Sequence, residues 1–281
     1  MKKEQYAKQI NAVTSYVDNH LDENLELKRM AEIANLSVFH FHRIARAILN
    51  EPFGEYVTRL RVEAAASQLR YTNQTISEIA YAVGFETPSG LSKRFKKYYN
   101  ITPSQYRENI ELHIIGSYKK ETMGNVQPIE ISTLEDQTIA YIRLTGNYAE
   151  LDYSGAWKRL WGFLNEQSLS GEKSKSIGIC YDDPQVTQSD KCRYDVAVTI
   201  DGAFEAVGEI GKGKIAGGTF AVFEHKGPYE KLDEVYGGIY GKWLFESGRE
   251  LRNAPTIDFF LNSPRDTNPK DLVTHIYLPV K

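Results

Sequence analysis

Two stretches of this chain set cationic, hydroxyl and aromatic side chains along one face of a helix. In residues 37–48 (SVFHFHRIARAI), Phe39, His42, Arg43 and Arg46 recur at three- and four-residue spacing. Val38, Phe41, Ile44, Ala45 and Ile48 recur at the same spacing on the face expected to meet a core. An arginine fork on such a helix can pair with both acceptors of guanine in the major groove of DNA, and an apolar ring can meet a thymine methyl. Fifty residues on, Ser89, Ser92, Lys93 and Lys96 face outward while Leu91, Phe95 and Tyr98 face inward, with Arg94 and Lys97 placed to meet phosphates. One such helix is an ordinary solvated basic face. Two copies, each behind a short helix and a turn, point to nucleic acid.

The elements that must position these faces follow from the punctuation. Residues 4–110 keep a helical period, interrupted near Asn35, Asn50, Thr72–Thr75, Gly84 and Asn100–Thr102. Each basic helix follows a short helix and a tight turn, at Asn35-Leu36 and at Gly84-Phe85, and Ser37 is suited to cap the first of them. The segment from Phe53 to Arg70 reads as a long helix fixing the spacing of the two units. A second repeat, at an offset of 81, aligns Thr138–Tyr148 with Thr219–Tyr229. Helical stretches at 152–167 and 232–247 and strands at 176–182, 193–200, 256–262 and 272–280 complete two βαββ copies. The expected fold is an N-terminal all-α double helix-turn-helix domain (1–110), a linker (111–125) and a C-terminal α+β domain (126–281). In the last, two βαββ repeats form one antiparallel sheet with two helices.

Composition narrows the function classes. Residues 1–110 carry 15 Lys+Arg against 12 Asp+Glu, and the rest carries 19 against 25. The basic half is thus the one whose helices suit DNA. No apolar run is long enough to span a bilayer, so no membrane partner is expected and the setting is read as cytoplasmic. Cys180 and Cys192 are read as small buried residues rather than a redox pair. His40 and His42 diverge on a helix and cannot chelate one metal. Gly208–Lys214 nearly spells a phosphate loop but lacks the hydroxyl that holds magnesium, and is read as a hairpin or connection. Neither metal, cofactor nor catalytic residues are assigned. Tyr229 with Glu224 or Asp258 could serve as an acid–base pair, so a hydrolase or a small-molecule-sequestering protein is the alternative reading.

Residues 25–107 resemble the DNA-binding domain of the AraC/XylS family. The resemblance is carried by Ile76–Ala80, Val83-Gly84-Phe85, Ser92–Lys97 and Thr102–Arg107. It implies two heads entering successive major-groove segments of double-stranded DNA, with base contacts from Phe39, His42 and Arg43 in one and Ser89, Ser92 and Lys93 in the other. The chain departs from the family at Ala45-Arg46, Asn50 and Gly90-Leu91. Gly90, read as interior to a helix, is expected to cost about 0.5–1 kcal/mol against Ala.

Residues 126–281 are similar to the GyrI-like effector-binding domain. The residues carrying this are Gly227-Pro228-Tyr229, Trp243, Ser247-Gly248, Asn262–Asp266 and Ile276–Val280, with Gly146-Asn147-Tyr148, Trp157, Asp182-Asp183-Pro184 and Cys192–Asp195 in the first copy. The similarity implies a small-molecule effector in a cleft between the copies, with Tyr148, Trp157, Tyr181, Tyr229 and Trp243 as candidate walls. Such walls suit flat or cationic amphiphiles. Asp258, which matches Gly178, and His275, which matches Asp195, are the positions that could supply a late-strand polar group. A histidine there leaves the effector's charge open. Together the two resemblances imply a regulator that responds to an effector, activates transcription and works with RNA polymerase.

Overall fold

In the computed structural model, which describes residues 2–109, 126–171 and 173–281, the chain forms two compact units. The first takes in residues up to Asn109 together with Glu205–Lys212, and the second the remainder. The linker expected at 111–125 lies outside the described residues.

The first unit is helical: α1 (Lys2–Asn19), α2 (Leu27–Ile33), α3 (Val38–Leu49), α4 (Phe53–Tyr71), α5 (Ile76–Ala82), α6 (Pro88–Tyr99) and α7 (Pro103–Glu108). Its boundaries are written in side chains that satisfy the free amides of each first turn. Ser37 caps α3 and Thr87 caps α6, while Thr75 with Glu78 and Thr102 with Gln105 form reciprocal capping boxes. The repeat at offset fifty is visible at the other ends too. Asn50 and Asn100 close α3 and α6 in the left-handed region, at φ +57° and +62°. Phe41 and Leu91, the matched inward residues, are both fully buried.

The inward stripe of α3 is narrower than expected. Phe41 and Ala45 are buried, but Val38 and Ile48 are exposed because the helix ends run beyond the core it packs on. Gly90 also differs from expectation. It is the third residue of α6, and its amide is the one that Thr87 caps, at 3.1 Å. A glycine in a capped first turn replaces few side-chain contacts, so the interior-helix cost does not apply there.

Gly84, in the turn between α5 and α6, has φ +88°. A Cβ on it would lie 2.5 Å from the Leu21 carbonyl oxygen and 2.8 Å from the Arg61 guanidinium. Arg61 reaches from α4 to donate to the carbonyls of Leu21 and Glu23. One arginine therefore bonds the loop before α2 and packs against the turn between α5 and α6. Gly84→Ala meets both strained backbone and an occupied space, and should destabilise the helical unit by about 2 kcal/mol. Thermal melting followed by circular dichroism at the helix band tests this, and an unchanged melting temperature would remove the turn from the coupling of the heads.

Beyond the helices lies one eight-stranded sheet in the order β1-β6-β8-β7-β3-β4-β2-β5, all of it in the second unit except the first residues of β5, Ile210–Lys212. Its strands are β1 (Glu130–Leu134), β2 (Gln137–Thr145), β3 (Ser176–Cys180), β4 (Arg193–Thr199), β5 (Ile210–Ile215), β6 (Gly218–Lys226), β7 (Thr256–Phe260) and β8 (Val273–Pro279). Helix α8 (Tyr153–Glu166) crosses the first copy. In the second, α9 (Leu232–Gly238), a wider π turn (Ile239–Trp243) and α10 (Leu244–Ser247) run continuously. Each βαββ copy gains a leading strand that pairs with the other copy, β1 on β6 and β5 on β2. Sequence pattern missed β5 because Ile-Gly-Lys-Gly-Lys-Ile carries glycine and lysine where strands favour branched side chains. The strand order reads the same from either end once the copies are exchanged, which puts β3 and β7 at the centre. There Gly178 and Asp258, matched residues of the two copies, stand directly opposite each other.

Candidate nucleic-acid surface and aromatic cleft

On α3 the four outward residues are all exposed, with Phe39 73% exposed. The Arg43 guanidinium lies 5.9 Å from the Phe39 ring centroid, one helical turn away. Among the described residues neither Arg43 nor Arg46 takes part in an ion pair, so both charges face solvent uncompensated. An aromatic ring this exposed forgoes apolar burial, and it lies against a cation that has no carboxylate partner among the described residues.

On α6, Ser89, Lys93 and Lys96 are exposed and both lysines are likewise without a carboxylate partner among the described residues. Ser92 is only half-exposed, and its hydroxyl donates to the Pro88 carbonyl at 2.9 Å, which leaves it acceptor capacity alone. Arg94 stands 3.8 Å from Glu55 of α4. Helix α4 braces both heads. Arg59 holds Glu51, just beyond α3, at 2.7 Å and Glu63 at 3.0 Å, and Glu63 accepts from the Tyr98 hydroxyl of α6 at 2.7 Å. Burial and the Glu63 charge hold the Tyr98 phenol far above its ordinary range. This network, invisible to helical periodicity, ties α6 and the turn after α3 to the same rod.

In the sheet unit, register decides which candidates meet. Residues opposite each other on antiparallel strands share a face. Asp258 pairs with Gly178 and Ile276, whereas His275 pairs with Phe259 and Glu224. Asp258 and His275 are therefore on opposite faces, and His275 is engaged with Glu224 at 3.3 Å. Tyr181 is on the His275 side, where its hydroxyl donates to Asp195 at 2.9 Å. Tyr148 donates to the carbonyls of Asp182 and Arg193, so it braces a loop. Trp243 is buried edge-on to Phe223, at 4.9 Å, beneath the second helix.

Three of the seven expected residues come together. Trp157 from α8 and Tyr229 before α9 both meet the Phe260 ring edge-on, at 6.0 and 5.2 Å, and Asp258 shares the face of Phe260. Around them stand residues that the sequence reading did not single out for this role. Tyr236 donates to Asp258 at 2.7 Å, and the Cys180 thiol lies 3.7 Å from the Tyr236 oxygen and 4.0 Å from the carboxylate. Tyr153 and Tyr194 pack edge-on at 5.0 Å. The i, i+4 pair Tyr236 and Tyr240 was a signal available in sequence: two phenols on one helix face, aimed at a strand carrying an acid. Desolvation pushes the Asp258 carboxyl up to about 7, against which the Tyr236 hydrogen bond works only in part.

Two family models match this chain. Residues 127–281 match the GyrI-like small molecule binding domain family and residues 30–109 match a helix-turn-helix domain family. The HTH-type transcriptional activator AarP of Providencia stuartii is 34% identical over 98 residues, 35% of this chain and 73% of that protein. The uncharacterized HTH-type regulator YbfP of Bacillus subtilis is 30% identical over 102 residues, 36% of this chain but only 35% of that protein. The probable transcriptional regulator YgiV of Escherichia coli O157:H7 is 28% identical over 135 residues, 46% of this chain and 81% of that protein.

Proposed function

The chain belongs to the AraC/XylS-type transcriptional regulators that carry a C-terminal GyrI-like small-molecule-binding domain, and from that premise we propose how it works. The two heads read base edges through Phe39, His42, Arg43 and Arg46 in one and through Ser89, Lys93 and Lys96 in the other, with Ser92 accepting. The observation that carries this is the pair of uncompensated cationic faces on α3 and α6, braced by one helix. Its partners are double-stranded DNA, a small-molecule effector and RNA polymerase, and it activates transcription in the cytoplasm. No described helix is long and apolar enough to cross a membrane. No catalytic turnover is needed for this role.

Selection of bound sequences from a random duplex pool, with the full chain at near-physiological salt, tests the reading. Enrichment of an asymmetric motif in two blocks about one helical turn apart supports it. Salt-sensitive binding without enrichment would leave only phosphate contacts and favour a sequestering role for the sheet unit.

Within the cleft, Trp157, Tyr229 and Phe260 form aromatic walls for an aromatic effector, and ionised Asp258 favours a cation. Trp243, Tyr148, Tyr181 and His275 act from the core or the opposite face. With the carboxyl held up to about 7, affinity for a cation must rise as pH rises through that value. Tetraphenylphosphonium, whose charge does not titrate, should gain roughly tenfold in affinity between pH 6 and pH 8. The neutral analogue triphenylphosphine oxide should gain nothing. A flat profile for the cation would take Asp258 out of the contact.

A further inference from the structure

The geometry points to the cleft as a covalent trap: Cys180 adds to α,β-unsaturated carbonyl compounds, with Asp258 as its base and Tyr194 as the donor to the carbonyl oxygen. This rests on the reading of the cleft as the effector site and names a class of effector for it.

Three observations carry the assignment. Cys180 is partly exposed at the end of β3, on the same face as Asp258, with Tyr236 and the carboxylate as its polar neighbours. Tyr194 stands directly opposite Cys180 in the strand register. Its side chain is more than nine-tenths buried, and its hydroxyl occupies the space over Gly178 where any Cβ would sit. That hydroxyl has no hydrogen-bond partner among the described residues, although Tyr148 and Tyr153 hold its ring edge-on at 6.0 and 5.0 Å. That hydroxyl is available to donate, and it sits over Gly178, two residues from Cys180 on β3 and opposite Asp258 on β7. Glycine at 178, rather than the acid found at the matching position in the other copy, is what makes room for it.

The chemistry balances without a further reactant. Asp258 takes the thiol proton as sulfur bonds to the β-carbon. The double-bond electrons pass to the carbonyl as an enolate, whose oxygen accepts from the Tyr194 hydroxyl. Asp258 then returns the proton to the α-carbon, so that S–H has added across C=C. Burial beside Asp258 raises the thiol well above its ordinary range, so Cys180 is quiet until a ligand seats beside it and the base acts. The titratable groups around Asp258 are Cys180, Tyr236, Tyr194 and Tyr153, and their phenols stay protonated at neutral pH.

The chain supplies its own control. Its only other cysteine, Cys192, is buried with its thiol directed at the Thr187 and Gln188 carbonyls. Treating the full chain with limiting methyl vinyl ketone and mapping adducts by mass spectrometry should give a single adduct at Cys180. Asp258→Asn should slow it about a hundredfold, the scale of general-base assistance. Tyr194→Phe should slow addition of methyl vinyl ketone but not alkylation by iodoacetamide, which forms no enolate. A merely structural tyrosine would alter both alike. The rate should rise with pH through about 7, as Asp258 becomes able to accept a proton. Reaction only after unfolding, or equal rates for wild type and Asp258→Asn with both shown folded by circular dichroism, overturns the trap. Should that happen while tetraphenylphosphonium still quenches tryptophan fluorescence, the noncovalent reading of the cleft survives. Loss of both results would end it as well.

Discussion

Arg43→Ala combined with Lys93→Ala will abolish sequence-selective binding while leaving the protein folded. Each residue is an exposed cation on its own head with no carboxylate partner to leave stranded, so neither substitution carries a stability penalty worth measuring. A base-directed contact is worth about 1–3 kcal/mol. The two heads share no partner at these residues, so the losses should add to about 2–6 kcal/mol. Electrophoretic shifts against the selected duplex and a scrambled one give the readout. Affinity for the selected duplex should fall toward that for the scrambled one, each single variant relaxing one block of the site. Equal weakening on both duplexes would mean that Arg43 and Lys93 touch phosphates, and the salt slope would then fall by about two.

The helical half was open to reading because its signals are local. A cap, a turn and an apolar stripe lie within a dozen residues of one another, and the offset of fifty repeats them. Even so, periodicity put Val38 and Ile48 in the core, since a stripe does not reveal where the packed surface ends. The braces on α4 were hidden for a different reason. Arg59, Glu63 and Arg61 sit on a helix that looks amphipathic by charge, and only the partners contributed by distant segments make them buried connectors.

In the sheet half the repeat marked six of the eight strands, but the proposed effector site depends on parity. One residue of register separates Asp258 from Phe259 and sends them to opposite faces, so a list of aromatic and polar residues could not say which belong together. That is why Trp157, Tyr229 and Asp258 meet while Tyr181 and His275 do not. The histidine answers Glu224 across the sheet, away from the cleft.

The same parity builds a pair of matched contacts with opposite consequences, and Arg143 is the place to measure them. Arg143 on β2 grips Asp195 on β4 with two bonds of 2.7 and 2.8 Å, and Tyr181 adds a third. The matched positions in the second copy hold Glu224 on β6 and His275 on β8, the acid having moved to the other strand. Asp195 is 0% exposed, whereas Glu224 is open to water. Arg143→Ala should therefore destabilise the sheet unit by about 3–5 kcal/mol, because it leaves a buried carboxylate without its cation. Glu224→Ala should change stability by less than about 0.5 kcal/mol. All three tryptophans, at positions 157, 161 and 243, fall in this unit, so their fluorescence during urea unfolding reports on it alone. With a urea slope of about 2 kcal/mol per molar, the Arg143→Ala midpoint should drop by roughly 2 M. If the two variants lose equal stability, burial is not what separates the copies. If Arg143→Ala loses most and a double exchange of Arg143 and Asp195 for apolar residues recovers it, the pair serves to satisfy its own desolvated charge. The sheet's polar groups would then divide cleanly, this face holding a closed ion pair and the other leaving Asp258 and Tyr194 open to a ligand.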